Sequence, residues 1–117
     1  MRKAVTSTLP TSKPGNHTSQ RERDDKYCWV LTHVDSFHRV IIDKDALQFI
    51  LQRRYYETFP TVAWRALCYP TSKKSLIKLC VRYTELAEPK IQQALLELQP
   101  RASAYKTLVQ ECRPQSD

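Results

Sequence analysis

Two histidines, His33 and His38, flank Asp35-Ser36 in the segment HVDSFHR, with Arg39 at its end. Imidazole changes charge near neutral pH, so two rings facing each other across a turn can give and take a proton. With a cation beside them to hold phosphate, they would equip a small endoribonuclease. The plainer reading is a pair of exposed polar positions at a hairpin tip. No acidic pair stands at a spacing that implies hydrolysis, and no residue is assigned a catalytic role.

A stripe of cations points elsewhere. If residues 72–83 form a helix, Lys74, Lys78 and Arg82 fall at i, i+4 and i+8 on one side, while Leu76, Leu79, Cys80 and Tyr83 cover another. Like charges at i, i+4 repel by roughly 0.2–0.5 kcal/mol per pair, and Glu85 alone is placed to relieve them locally. Ser72, Lys73 and Lys74 also crowd the helix start, where free N–H groups favour an anion. Lys73, Lys74, Lys78 and Arg82 are therefore the candidate nucleic-acid contacts, with a merely solvated face as the ordinary alternative.

LQFILQRRYY, residues 47–56, offers a second surface when read as a helix of 3.6 residues per turn. Leu47, Ile50, Leu51 and Arg54 then share one side, and Phe49, Gln52, Arg53 and Tyr56 share the other. Arginine and aromatics together can stack on bases, grip phosphates or anchor a protein partner. The same rings could instead pack under the C-terminal helices, leaving Arg53 and Arg54 as cations at a helix end.

Other chemistries lack their parts. The chain has one glycine, Gly15, whereas phosphate-cradling loops need several for close backbone approach. Its four cysteines, Cys28, Cys68, Cys80 and Cys112, show no paired spacing of the kind that zinc sites use. The expectation is no metal and no cofactor.

The elements that must position these residues follow from patterning. YCWVLTHV (27–34) and FHRVIID (37–43) are aromatic and β-branched runs around a turn, predicting a hairpin. Asp43 can cap a helix from about Lys44 to Tyr56, which Phe59-Pro60 breaks. TVAWRALCY (61–69) predicts a third strand, stopped by Pro70. Thr71 or Ser72 can cap a helix to about Tyr83, and Pro89 suits the first position of another. Tyr105, Leu108, Val109 and Cys112 carry the apolar spacing of a last helix, ended by Pro114. The expected order is β-β-α-β-α-α-α: an α+β fold with a small antiparallel three-stranded sheet and helices packed mainly on one face.

At 117 residues and 41% apolar, the chain has room for one domain and a tail. Residues 1–25 read as a disordered basic tail, 26–113 as the domain and 114–117 as a disordered C-terminus. The net charge of +7 divides as +3 over residues 1–26, +3 over 27–99 and +1 over 100–117, so it is not confined to the tail. Such a cation is steered toward nucleic acid, an anionic membrane or an acidic protein. No stretch approaches the length and apolarity of a transmembrane helix, and no membrane partner is expected. Absence of a leading apolar run, with cysteines scattered through apolar patterns, predicts reduced thiols in the cytoplasm.

The stretches LQFILQRR, WRALCY and SKKSLIKL resemble those of short uncharacterised proteins from bacterial mobile elements and prophages. The resemblance implies a genetic setting and no activity. The expectation is a small non-enzymatic protein that binds DNA or RNA, chiefly by its phosphate backbone, or that regulates through such binding. The alternative is a module that binds and inhibits a host protein such as a nuclease or polymerase. A homodimer through the 49–56 face is compatible with either, and the histidine endoribonuclease is the minor third reading.

Overall fold

The computed structural model describes residues 19–112. Four strands form one antiparallel sheet in chain order: β1 (Val30–Asp35), β2 (His38–Ile42), β3 (Phe49–Thr58) and β4 (Thr61–Cys68). Three helices follow, α1 (Lys73–Tyr83), α2 (Glu88–Ala94) and α3 (Lys106–Cys112), with a 3-10 turn at Ala102–Tyr105 leading into α3. The α+β class stands, and the three-stranded sheet is corrected to four strands. The expected helix from Lys44 to Tyr56 is a loop followed by β3.

The reason lies in how β3 is buried. Its first four residues, Phe49 to Gln52, are all buried, because the sheet is covered on both faces at that end. A strand covered on both sides loses its alternation and shows a continuous apolar run that helix spacing also fits. Beyond Gln52 the strand emerges, and its aromatic and β-branched residues suit a pleated surface. Phe59-Pro60 is then a tight turn, with a cis peptide bond, between β3 and β4.

Asp43 does cap N–H groups, but those of a loop. Its Oδ1 accepts from Leu47 N at 2.7 Å and from Gln48 N at 3.0 Å. These bonds hold Ala46 at φ 54°, a left-handed conformation that costs an L-residue about 1–2 kcal/mol. The β1–β2 turn forms as expected, with Asp35 Oδ1 accepting from Phe37 N at 2.8 Å.

The register sorts the side chains. Val40 pairs with Leu51 and Ile42 with Phe49 on one face; Ile41 pairs with Ile50 and Arg39 with Gln52 on the other. The first face takes the helices: Phe49 meets Tyr105 edge to face at 6.0 Å, and the Thr32 hydroxyl donates to the Ala94 carbonyl at 3.2 Å. Leu76 and Cys80 of α1, Ile91 of α2, Leu95 and Val109 close that core. Ser72 caps α1 through Ser75 N, and Pro89 lies in the first turn of α2.

The second face takes the segment before β1. Residues 19–25, expected to belong to the tail, cross the sheet instead. Trp64 N donates to Arg23 O at 2.9 Å along the β4 edge, and Tyr27 Oη donates to Ile42 O at 2.9 Å. The rest of the expected tail, and the C-terminal residues 113–117, lie outside the described residues. Among the described residues no helix is long and apolar enough to cross a membrane.

Candidate functional site

Arginine over an aromatic ring occurs in two regions of the sheet. The first is interior. Arg39 is almost wholly buried, with its guanidinium carbon 4.3 Å from the centre of the Trp64 ring. Its Nε donates to Gln52 Oε1 at 2.6 Å, Nη1 to Asp25 O at 3.0 Å, and Nη2 to Glu22 O and Asp24 O at 3.1 and 2.8 Å. Gln52 Nε2 joins Glu22 O at 2.8 Å, and Trp64 Nε1 donates to Asp25 Oδ1 at 2.9 Å. Burial pushes the Arg39 pKa down to about 10, against the pull of Asp25, Tyr27 and Asp24, so the group stays charged at neutral pH. Its donors are directed at the strap of residues 22–25. This cation ties the strap to the sheet.

The second region is the projecting end of β3 and β4. Pairing between β2 and β3 stops at His38 and Arg53, whereas β3 and β4 stay paired to Thr58 and Thr61. The two strands therefore continue as a ribbon past their neighbours. Arg53 and Arg65 pair on the helix side, and Arg54 pairs with Trp64 on the other. The Arg65 guanidinium lies 5.0 Å from the Tyr55 ring; Arg54 and Arg53 lie 5.2 and 6.0 Å from Phe37, at the β1–β2 turn. Tyr56 and Phe59 meet edge to face at 5.1 Å. Phe37, Tyr56 and Phe59 are 50%, 53% and 75% exposed. The ribbon's acid, Glu57, is paired with Arg23 at 2.8 Å, so its other cations keep their charge uncompensated locally.

The structure divides the expected contact face. Phe49 is fully buried against the helices, and Gln52 is only 2% exposed, spent on Arg39 and Glu22. Arg53 and Tyr56 are exposed but point to opposite faces of β3, since period 2 replaces period 3.6. Reading period 2 through RRYYET would have placed Arg54 with Tyr56 and Arg53 with Tyr55. Phe37, Phe59 and Arg65 were missed because only the turn geometry and strand register bring them to the ribbon.

On α1 the stripe is as spaced: Lys74, Lys78 and Arg82 are exposed. Lys73 is not part of it. Its Nζ donates to the carbonyls of Leu96 and Leu98 at 3.2 and 3.3 Å. The helix start is also occupied, Lys73 N by Pro100 O and Ser75 N by Ser72 Oγ, which leaves little room for an anion there.

The histidines do not face each other. His33 pairs with Arg39 on the strap side and His38 pairs with Asp35 on the helix side. His38 is buried, with Nδ1 2.9 Å from Asp35 Oδ1 and no partner for Nε2 among the described residues. The His33 ring stands 6.0 Å from Trp64; lost hydration and then Arg39 hold its pKa below the ordinary value. Cys80 is a poor nucleophile, since burial pushes its thiol up to about 12. Among the described residues no cluster of three metal-ligating side chains occurs. Comparison with protein-family models, with curated proteins and with solved structures finds no match.

Proposed function

We propose that this chain is a non-enzymatic nucleic-acid-binding protein whose grip is the β3–β4 ribbon. The observation that carries the reading is the set Arg53, Arg54 and Arg65, each held against a ring and none donating a side-chain hydrogen bond to the described residues. A guanidinium takes phosphate bidentately while its plane still rests on an aromatic face. The overall charge of +7 adds long-range attraction. Lys74, Lys78 and Arg82 serve as outlying phosphate contacts or as steering charges.

The test is fluorescence anisotropy with labelled oligonucleotides across a salt series. Affinity should persist near physiological salt, and log affinity should fall linearly with log salt. Changing Arg53, Arg54 and Arg65 to Ala should flatten that line; an unchanged slope would remove the ribbon from the model. A second reading, a protein-binding module, draws on the same exposed Phe37, Tyr56 and Phe59, because aromatics beside arginine are the composition of binding hot spots. It expects weak salt dependence and no oligonucleotide binding at physiological salt.

A further inference from the structure

We infer that the nucleic acid taken by the ribbon is single-stranded, with bases stacked on the Tyr56–Phe59 pair and phosphate on Arg54. This deepens the nucleic-acid reading and rests on it. Charge selects the class of partner, since Glu57 is neutralised by Arg23 while Arg53, Arg54 and Arg65 have no facing carboxylate among the described residues. The aromatics select its form.

On the face away from the helices, four side chains run as a track. Phe37 lies 5.2 Å from the Arg54 guanidinium, Tyr56 is two residues along the same face of β3, and Phe59 meets Tyr56 at 5.1 Å. The order is therefore ring, cation, ring, ring. One strand residue advances about 3.3 Å, so Arg54 and Tyr56 stand about 7 Å apart along the ribbon. That interval lets a phosphate and its neighbouring base be held together. The Tyr56 and Phe59 rings lie at 74° to each other, an edge-to-face contact that covers one face of one ring, and both rings otherwise remain largely exposed.

A duplex hides its base faces inside the stack, so exposed rings gain little from it. A single strand presents those faces, and every base has one. Arginine and aromatic side chains along a groove or ribbon are the means by which unstacked strands are held without sequence reading. The lysines of α1 stand on the other side of the sheet from this track, consistent with a supporting role.

The experiment uses the full chain and three labelled probes of one sequence: single-stranded DNA, single-stranded RNA and the DNA duplex, near physiological salt. Either single strand should bind at least tenfold tighter than the duplex, and whichever is preferred names the sugar. Changing Tyr56 and Phe59 together to Ala should weaken single-strand binding about tenfold or more per stacked base, with the salt slope unchanged. Both rings are exposed, so thermal unfolding should be little altered. Tyr56→Phe, which keeps the ring, should retain binding and exclude a trivial effect on folding. Duplex binding equal to or tighter than single-strand binding overturns this inference and leaves the nucleic-acid reading standing. Unaltered binding by the double Ala variant overturns it as well. Absence of binding to all three probes, even at low salt, overturns both.

Discussion

The interior and the projecting end of the sheet hold the same pair, an arginine against an aromatic ring, in opposite surroundings. Around Arg39 the guanidinium is 4.3 Å from the Trp64 ring centre and donates to four oxygens of the protein. On the ribbon the distances open to 5.0–6.0 Å, and the three guanidinium groups make no side-chain hydrogen bond to the described residues. Burial makes the difference. A cation removed from water must have its donors met, or the desolvation cost falls on the fold. A cation left in water keeps its donors for a ligand. Where its N–H groups go thus separates an arginine committed to the fold from one whose donors are left to solvent.

The comparison is most easily broken at Arg39. Arg39→Met keeps the length but strands Gln52 Oε1 and the Asp25 carbonyl, takes one of two donors from the Glu22 and Asp24 carbonyls, and removes a buried cation from the Trp64 ring, so the variant should lose about 3 kcal/mol. Urea unfolding followed by tryptophan fluorescence measures this, since Trp64 reports on the same cluster. A loss below about 1 kcal/mol would mean that the strap is held by something else. Replacing Arg53, Arg54 and Arg65 by Ala should do the reverse. Stability should change by about 0.5 kcal/mol or less per site, while the slope of log affinity against log salt flattens by about 2 for a single strand. If the ribbon variants unfold more readily than Arg39→Met, the division of labour is reversed.

The elements marked by local chemistry were legible in the sequence. Ser72 caps α1, Pro89 lies in the first turn of α2 one position after Glu88 opens it, and Asp35-Ser36 turns β1 into β2, each acting on residues within a few positions. β3 was not legible, since Phe49 to Gln52 are buried from both sides and their pattern carries no period 2. The strap was illegible for a related reason. Nothing near Glu22, Asp24 or Asp25 shows that Arg39, Gln52 and Trp64 will satisfy those residues, because the contacts span 14 to 39 positions. Of the candidate residues, Lys74, Lys78 and Arg82 stayed on one exposed helix face because helical spacing alone places them. Phe49 and Gln52 moved inside with the change of period, and Lys73 was drawn off by two carbonyls of the segment that follows α2.

A smaller effect separates the ribbon from α1. Lys74, Lys78 and Arg82 lie on the helix side of the sheet, apart from the Phe37–Arg54–Tyr56 track. Their joint replacement by Ala should weaken a short oligonucleotide severalfold at most, chiefly through the association rate. It should leave the chain as stable or slightly more so, by about 0.2–0.5 kcal/mol for each like-charge pair removed. Stopped-flow binding at two salt concentrations reads the rate directly. A loss as large as that of the ribbon arginines would move the centre of the interface onto α1.

The smallest expected effects are in pH dependence, where two groups on opposite faces act in separate windows. Burial alone would raise the Asp35 carboxyl, but hydrogen bonds from His38 and from Phe37 N outweigh it and hold the group below its ordinary value. The unfolded chain therefore takes up this proton first as pH falls. The stabilisation is complete above the ordinary carboxylate range and disappears as pH drops through the lower folded value. His33, although exposed on β1, is also held low, by lost hydration and then by Arg39 and Arg54, so the folded chain resists protonation there too, to a smaller, solvent-screened extent. Its contribution is present above the ordinary histidine value of about 6.5 and is lost as pH falls from there through the folded value. Stability should thus decline in two acid steps. His33→Gln should flatten the step that begins near neutrality, and Asp35→Asn the one below the carboxylate range. Unfolding midpoints measured from pH 8 to pH 3 separate them. A His33→Gln variant with an unchanged upper step would show that the imidazole is fully hydrated, and that Arg39 acts only on the strap it holds.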